Sequence, residues 1–194
     1  MFKIVILVSG SGSNLQAIID AIKNKYLLDT KITYVLSSVG DAYALTRAKL
    51  AEIPTHVVRK QPDISSSQKI IDFLKDKEVD LIVCAGFLEI LSKELVDLYK
   101  HKIINIHPSL LPKYGGKGMY GIKVHEAVIA NKERDSGCTV HYVDSGIDTG
   151  QIILQQRVKV KITDTPSILQ ARILQQEHLL LPRAIRLIKD KKIQ

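Results

Sequence analysis

Cysteine and long apolar runs are both scarce in this chain of 194 residues. Cys84 and Cys138 lie inside short apolar runs typical of strands, which favours buried free thiols in a reducing compartment over a disulfide framework. No apolar run approaches the length needed to span a bilayer, and the N-terminal stretch MFKIVILVSG has no signal-peptide cleavage pattern. We therefore expect a cytoplasmic protein with no membrane contact.

Several signatures of catalysis and cofactor binding are also missing. The histidines show no metal-ligand spacing, no serine lies in a GxSxG motif, and neither cysteine has an activating neighbour in sequence. Gly10 and Gly12 form a GxG turn, but Leu15 stands where a dinucleotide fingerprint requires its third glycine, and no Gly-Lys-Ser/Thr follows. Metal-dependent hydrolysis, covalent catalysis and nucleotide P-loop chemistry are therefore unsupported.

The composition is that of an ordinary globular protein, with 45% apolar and 25% charged residues. The formal charge of +8 admits nucleic acid, phosphorylated metabolites or polyanionic cofactors as partners, but the lysines are scattered, which favours a solvated surface. There is no internal repeat, low-complexity segment or linker. We predict one domain over residues 1–194.

Strand and helix patterns alternate along the chain. The predicted strands cover residues 3–8, 32–36, 55–58, 79–85, 102–106, 137–143 and 151–160. Because most of these strands are almost continuously apolar, both faces of their sheet should be covered. The pattern predicts an α/β fold, with one mostly parallel, twisted sheet and helices on both faces.

Local signals predict where the helices begin. Ser13, with Gln16 three residues later, indicates a capping box, and Asp41 and Ser92 are predicted caps of later helices. The last helix should open at Pro166. Pro182 should kink or split that helix, because proline removes a backbone hydrogen bond in a helix interior.

The stretch KIINIHPSLLP, residues 102–112, contains the strongest candidate for catalysis. Along a strand, Asn105 and His107 point to one face, and Pro108 then stops the ladder. An amide and an imidazole at the carboxyl end of a strand suit a reaction that develops an oxyanion and moves a proton. A carboxylate such as Asp148, if it lay nearby, would raise the pKa of the imidazole and orient it.

Two glycine-rich loops are further candidates. The loop at residues 9–14 leads from a strand into a helix N-terminus, which makes it a generic anion site suited to one phosphate. The loop at residues 113–121 has four glycines and is predicted to be mobile over a site.

Five stretches, in family order over nearly the whole chain, resemble the folate-dependent formyltransferases. They are GSGSNLQAIID (10–20), AGFLEIL (85–91), INIHPSLLPKY (104–114), GCTVHYVDSGIDTGQIIL (137–154) and QEHLLLP (176–182). The resemblance is closest to the branch acting on 5'-phosphoribosylglycinamide (GAR). It implies the Rossmann-like fold of that family and, in de novo purine biosynthesis, formyl transfer from 10-formyltetrahydrofolate to the GAR amine, without a metal.

The resemblance also implies roles for individual residues. The catalytic residues would be Asn105, His107 and Asp148. The substrate-binding residues would be Gly12, Ser13 and Asn14 at the phosphate, with Glu177 contacting GAR. The folate-binding residues would be Leu88, Glu89, Ile90, Leu91 and Asn105. Residues 1–100 would form a phosphate-binding half, and residues 101–194 a catalytic and folate half.

This chain departs from the family pattern at several positions. Glu89 replaces a common arginine, although backbone contacts would survive that change, and Leu174 replaces a polar residue one turn before Glu177. The loop at residues 114–120 is longer and richer in glycine than in the best-known members. For the basic residue that contacts folate near the third helix, Lys69 is the nearest candidate.

Three alternatives share parts of this pattern. Methionyl-tRNA formyltransferase would use the positive charge but carries an additional C-terminal domain, and formyltetrahydrofolate deformylase carries an N-terminal regulatory domain. A folate or phosphate sensor would have a degenerate site, whereas all three catalytic positions are filled here. We therefore expect a small-molecule enzyme with no specific nucleic-acid partner, as a monomer or a homodimer.

Overall fold

The computed structural model describes residues 1–193, and the side chains of residues 1–191. Gln194, the last residue of the predicted domain, lies outside the described residues. The strands are β1 (Phe2–Val8), β2 (Thr30–Ser37), β3 (Thr55–Val57), β4 (Leu81–Cys84), β5 (Ile103–His107), β6 (Asp135–Tyr142) and β7 (Ile152–Lys159). The helices are α1 (Ser13–Lys23), α2 (Tyr43–Leu50), α3 (Ser66–Leu74), α4 (Lys93–Leu98), α5 (Ile122–Ala130) and α6 (Pro166–Ile193).

The strands form one sheet in the order β3-β2-β1-β4-β5-β6-β7. The first five strands are parallel to one another. β6 runs antiparallel to β5, and β7 runs antiparallel to β6. The connection from β6 to β7 is a loop without a helix, which is enough to join antiparallel neighbours but too short for a parallel crossover. The predicted α/β fold with a mostly parallel sheet is confirmed.

Helices cover both faces of the sheet, which explains the continuous apolar strands. In β1, Ile4 and Ile6 pack into one buried cluster with residues of α1 and α6, while Val5 and Leu7 pack into a second cluster with residues of α3 and α4. Since successive side chains of a strand point to opposite faces, a strand buried on both sides has no polar alternation.

Two of the predicted helix caps are wrong. α1 begins at Ser13, but its N-cap is Gly12 in a left-handed conformation, with no side-chain cap. The N-cap of α2 is Ala42 and not the predicted Asp41, and it makes no side-chain hydrogen bond to the helix. By contrast, Ser92 does cap α4, because its Oγ accepts a hydrogen bond from the Leu95 N–H at 3.3 Å.

Strong packing overrides the predicted break at Pro182. α6 begins at Pro166, as predicted, and continues through Pro182 as one helix. Of the two predicted outcomes, the split is wrong, and the kink stays a prediction. Leu181 and Ala184, on either side of the proline, are fully buried in the core. We attribute the continuity to this burial, which offsets the missing backbone hydrogen bond.

Each strand boundary lies within two residues of its prediction. The difference that matters is in β5, which was predicted to end at residue 106 but includes His107. His107 pairs with Thr139 of β6, a long-range pairing that no local pattern reveals. The His107 imidazole is therefore held by sheet backbone instead of by a loop.

The predicted state of the cysteines is confirmed. Cys84 and Cys138 are buried and free. Burial raises the pKa of both thiols to about 12, so neither is a thiolate nucleophile at neutral pH.

No helix within residues 1–193 is both long and apolar enough to serve as a membrane span.

Gly12→Ala should destabilise the fold strongly. An added Cβ would lie 2.6 Å from Ala44 Cβ and 2.7 Å from its Cα, and the φ of +73° disfavours any side chain. We expect the free energy of unfolding to fall by roughly 2–4 kcal/mol, the sum of overpacking and left-handed strain. Chemical denaturation measures it. Gly10→Ala is the matched control, since nothing lies within 4 Å of its added Cβ; equal losses in both variants would contradict the packing explanation.

Candidate active site

A cleft of about 870 Å³ opens at the carboxyl ends of β1, β4 and β5. Its walls come from the loop before α1, the segment after β4, the loop before α5, the loop after β6, and one side of α6. The predicted site residues that line it are Gly12, Ser13, Asn14, Leu88, Glu89, Ile90, Leu91, Asn105, His107, Asp148 and Glu177. The tertiary structure therefore brings the predicted catalytic, substrate-binding and folate-binding residues to one cleft, with the exception of Lys69, although their individual roles stay predictions.

Asn105, His107 and Asp148 converge at the centre of this cleft. Asn105 Nδ2 lies 3.5 Å from Asp148 Oδ1, and His107 Nδ1 lies 3.5 Å from Asp148 Oδ2. β5 places the amide and the imidazole on one face, and the loop after β6 carries the carboxylate over them. One carboxylate therefore bridges a donor amide and a titratable ring.

The sequence did not predict His141 as part of this cluster. Its Nδ1 donates to the Tyr142 carbonyl oxygen at 2.8 Å, and its Nε2 lies 3.2 Å from Asn105 Nδ2. Asp148 Oδ1 is 3.6 Å from the same Nε2. The antiparallel register pairs Asn105 with His141. This pairing would have identified His141, but the sequence alone does not show which residues of β6 pair with β5.

Two contacts determine the state of the His107 ring. Nε2 lies 2.8 Å from the Tyr114 backbone oxygen, so this nitrogen carries the hydrogen and donates it. Nδ1 is then the bare nitrogen of the neutral ring and the one that can take a proton beside Asp148. The contacts therefore assign the tautomer with the hydrogen on Nε2 and leave Nδ1 as the nitrogen that can be protonated.

The pKa of His107 is lowered overall, mainly because the ring is buried. Asp148 and the Tyr114 carbonyl act in the opposite direction, and His141 adds to the lowering. Asp148 therefore raises the pKa of His107, as expected, but burial lowers that pKa by more. The imidazole is neutral at neutral pH and becomes charged only when it takes a proton.

Asp148 stays ionised in this setting. Burial alone would raise its pKa, but the His141 ring, the charge of His107 and the Gly116 N–H together bring the pKa below its ordinary value. The Gly116 N–H donates to Oδ2 at 3.0 Å. A permanent negative charge therefore faces the nitrogen of His107 that can become positive, which favours proton uptake during a reaction.

The N-terminus of α1 forms the other end of the cleft. Its first backbone N–H groups have no partner within the helix and are suited to an anion. The Asn14 side chain, by contrast, donates from Nδ2 to Glu177 Oε2 at 2.7 Å, and its buried Oδ1 has no partner. A buried acceptor suits an amine or hydroxyl donor, so the backbone of Asn14 is a better phosphate ligand than its side chain.

Glu177 is buried beside Asn14. Burial raises the pKa of this carboxyl group, and the hydrogen bond from Asn14 only partly opposes that shift. Behind the same loop, Arg47 Nε donates to the Ser11 backbone oxygen at 2.9 Å. The glycine-rich loop and the start of α1 are therefore anchored to α6 through Glu177 and to α2 through Arg47.

The segment after β4 supplies an apolar rim. Leu88 and Ile90 line the cleft and are 63% and 67% exposed. The Leu88 N–H is already bound to Ser9 Oγ at 2.9 Å. A flat ring system could therefore pack on the two aliphatic side chains, whereas the Leu88 N–H would not be available to it.

The structure also shows where the residues that depart from the family pattern lie relative to the cleft. Leu174 lines the cleft one turn before Glu177, and Glu89 stands at its rim. Lys69 is on α3 and is not among the lining residues, so the structure does not bring this candidate to the site. Residues 116–121 do line the cleft, which confirms the predicted position of that loop, while its mobility stays a prediction.

Within the described part of the chain, no three histidine, cysteine, aspartate or glutamate side chains are placed to hold a metal ion. His125 is buried near His107, and burial, with the neighbouring charge of His107, lowers its pKa to about 4. The cleft therefore combines one fixed anion, Asp148, with the neutral rings of His107 and His125. It is suited to moving a proton and stabilising developing charge.

Comparison with known proteins gives a consistent result. Residues 2–185 match the family described as Formyl transferase. The chain is 39% identical over 194 residues to the chloroplastic phosphoribosylglycinamide formyltransferase of Vigna unguiculata; the match covers 98% of this chain but only 62% of that protein's length. It is 38% identical over 193 residues to phosphoribosylglycinamide formyltransferase of Escherichia coli strain K12, covering 98% of this chain and 88% of the relative.

Solved structures agree with the sequence matches. The phosphoribosylglycinamide formyltransferase of Anaplasma phagocytophilum has a TM-score of 0.88 and 37% identity to this chain. That match covers 98% of this chain and 88% of the other. The likeness therefore extends over nearly the whole chain.

Proposed function

Because the chain belongs to the formyl transferase family, we propose that it transfers a formyl group from 10-formyltetrahydrofolate to the amine of 5'-phosphoribosylglycinamide, in de novo purine biosynthesis. The observation that carries the proposal is the cleft itself. It joins the Asn105–His107–Asp148 cluster to an anion-binding helix N-terminus on one side and an apolar rim on the other.

In the proposed reaction, the acceptor amine attacks the formyl carbon and a tetrahedral oxyanion forms. His107 Nδ1 takes the proton that the amine loses, and Asp148 stabilises the resulting imidazolium. Asn105 Nδ2 exchanges its long contact with Asp148 Oδ1 for a hydrogen bond to the oxyanion, a contact typically worth about 3–4 kcal/mol in such sites. As the intermediate collapses, the imidazolium returns its proton to the departing folate nitrogen.

The ends of the cleft support the choice of substrates. The N-terminus of α1 offers free N–H groups to a single phosphate. The Asn14 Oδ1 and the Glu177 carboxyl group are buried acceptors on the acceptor side, suited to the N–H and O–H groups of a glycinamide ribonucleotide. The rim at Leu88 and Ile90 would pack against the pterin ring. The cytoplasmic location, the absence of a metal and the monomeric or homodimeric state stay predictions.

The test is a choice of acceptors. With 10-formyltetrahydrofolate as donor and both acceptors present at moderate salt, we expect ordinary turnover with phosphoribosylglycinamide and negligible formylation of methionyl-tRNA. A loop sized for one phosphate motivates this expectation, since polyanion binding to scattered lysines is non-specific and falls steeply with salt. Formyl transfer to each acceptor is measured directly. Preferential transfer to tRNA, or binding of the donor without transfer to either acceptor, would overturn the proposed substrate.

A further inference from the structure

Tyr114 links the candidate active site to a carboxylate outside the cleft. Its backbone oxygen accepts the hydrogen bond from His107 Nε2 at 2.8 Å, and its side-chain hydroxyl donates to Glu133 Oε1 at 3.1 Å. Glu133 lies in the turn between α5 and β6 and is not among the residues that line the cleft. One residue therefore connects Glu133 to the imidazole.

The backbone of Tyr114 needs to be held in place. Its φ is +55°, a left-handed conformation that is costly for a residue with a side chain. Gly115 and Gly116 follow directly and offer no side chains as anchors. The neighbouring Lys113 binds the same Glu133 carboxylate at 2.9 Å. Glu133 is thus the common anchor for two consecutive residues of this turn.

We propose that Glu133 is a positioning residue for His107 and acts through Tyr114. The hydroxyl contact holds the strained turn, and the turn aims the Tyr114 carbonyl at Nε2 of the imidazole. That carbonyl in turn fixes the tautomer with a bare Nδ1 facing Asp148. The inference rests on the proposed function, since it takes His107 as the group that moves the proton.

Releasing the turn would change His107 in two ways. Without the carbonyl, the ring can adopt the other tautomer or rotate, and fewer molecules present Nδ1 correctly. The pKa of the His107 ring should also fall further. The Tyr114 carbonyl stabilises the charged ring while the hydrogen bond is present, and that stabilisation is lost with it. The other titratable groups around the ring are Asp148 and His141 beside β5, and His125 on α5. They are unchanged in the variants below.

Tyr114→Phe removes only the hydroxyl and leaves the partly buried ring packed against the core. Glu133→Ala removes the anchor, while Glu133→Gln keeps an oxygen that can accept from the hydroxyl. Tyr26→Phe is the matched control, because Tyr26 is an exposed tyrosine with Arg186 over its ring. All four variants are made in the full chain.

Nitrogen NMR of the His107 ring reads the tautomer and its pKa without any turnover. We expect Tyr114→Phe and Glu133→Ala to show a mixture of tautomers and a lower pKa, whereas Glu133→Gln and Tyr26→Phe should resemble the original protein. In formyl-transfer assays, kcat should fall roughly tenfold in the first two variants, the scale of one lost hydrogen bond to a charged group. KM should not change, and the acidic limb of the pH profile should move to lower pH.

The two kinds of failure are distinguishable. An unchanged His107 tautomer and pKa in both Tyr114→Phe and Glu133→Ala would overturn the positioning role, whatever the activity. A shifted tautomer in a protein that transfers no formyl group would leave the link between Glu133 and His107 intact and refute the proposed function instead. A lower kcat in Tyr26→Phe, equal to that in Tyr114→Phe, would show a general effect of losing a hydroxyl.

Discussion

His107→Ala is expected to reduce formyl transfer at least about a hundredfold, the scale of a lost general acid–base group. The His107 ring lies in the cleft with Nδ1 3.5 Å from Asp148 Oδ2, where a fixed carboxylate can stabilise the imidazolium. Removing it leaves the Asp148 carboxylate without the imidazolium it stabilises. Steady-state kcat and kcat/KM, measured across pH, give the size of the loss.

The fold should survive this substitution. The lost contact to the Tyr114 carbonyl costs about 1–2 kcal/mol, a typical value for one buried hydrogen bond. His56→Ala is the matched control, because His56 is exposed on β3, at the far edge of the sheet. Circular dichroism and thermal unfolding separate activity from stability. A folded His107→Ala protein with full activity would show that the histidine is structural.

Asp148→Asn should give the second large effect, again a loss in kcat of about a hundredfold, because the imidazolium formed during proton transfer loses its counter-charge. The amide keeps the shape of the side chain and removes the charge. The pKa of His107 is already below its ordinary value because the ring is buried, and Asp148 opposes that lowering. Removing the carboxylate must therefore lower the pKa further.

The sign of the pH effect follows directly. His107 works from its neutral form, so activity falls when the ring is protonated at low pH. A lower pKa in Asp148→Asn should move the acidic limb of the pH–activity profile to lower pH, while the maximum rate drops. NMR titration of the ring measures the pKa, and Asp63→Asn, at an exposed position, serves as the control. An unchanged His107 pKa in Asp148→Asn would show that the carboxylate does not act on the ring.

Local patterns were reliable where local forces decide. Apolar runs identified all seven strands within the described residues, because a strand buried on both faces has to be apolar throughout. Ser92 was correctly identified as a cap, since a cap depends on residues within one turn. Ser13 was wrongly identified by the same signal. There the close approach of Gly12 to Ala44 of α2 determines the backbone, and that contact is not local in sequence.

The sequence by itself determined the fold class, the family and the residues that gather in the cleft, because strand periodicity and the NIHPSLLP stretch are both contained in short segments. Only the tertiary structure decided which groups touch. The antiparallel pairing of β6 with β5 brings His141 to Asn105, and the turn at Tyr114 brings a carbonyl to His107 and a hydroxyl to Glu133. Burial, which depends on the whole fold, reversed the expected pKa of His107. Register, backbone contacts and desolvation are properties of the packed chain, and short sequence patterns do not encode them.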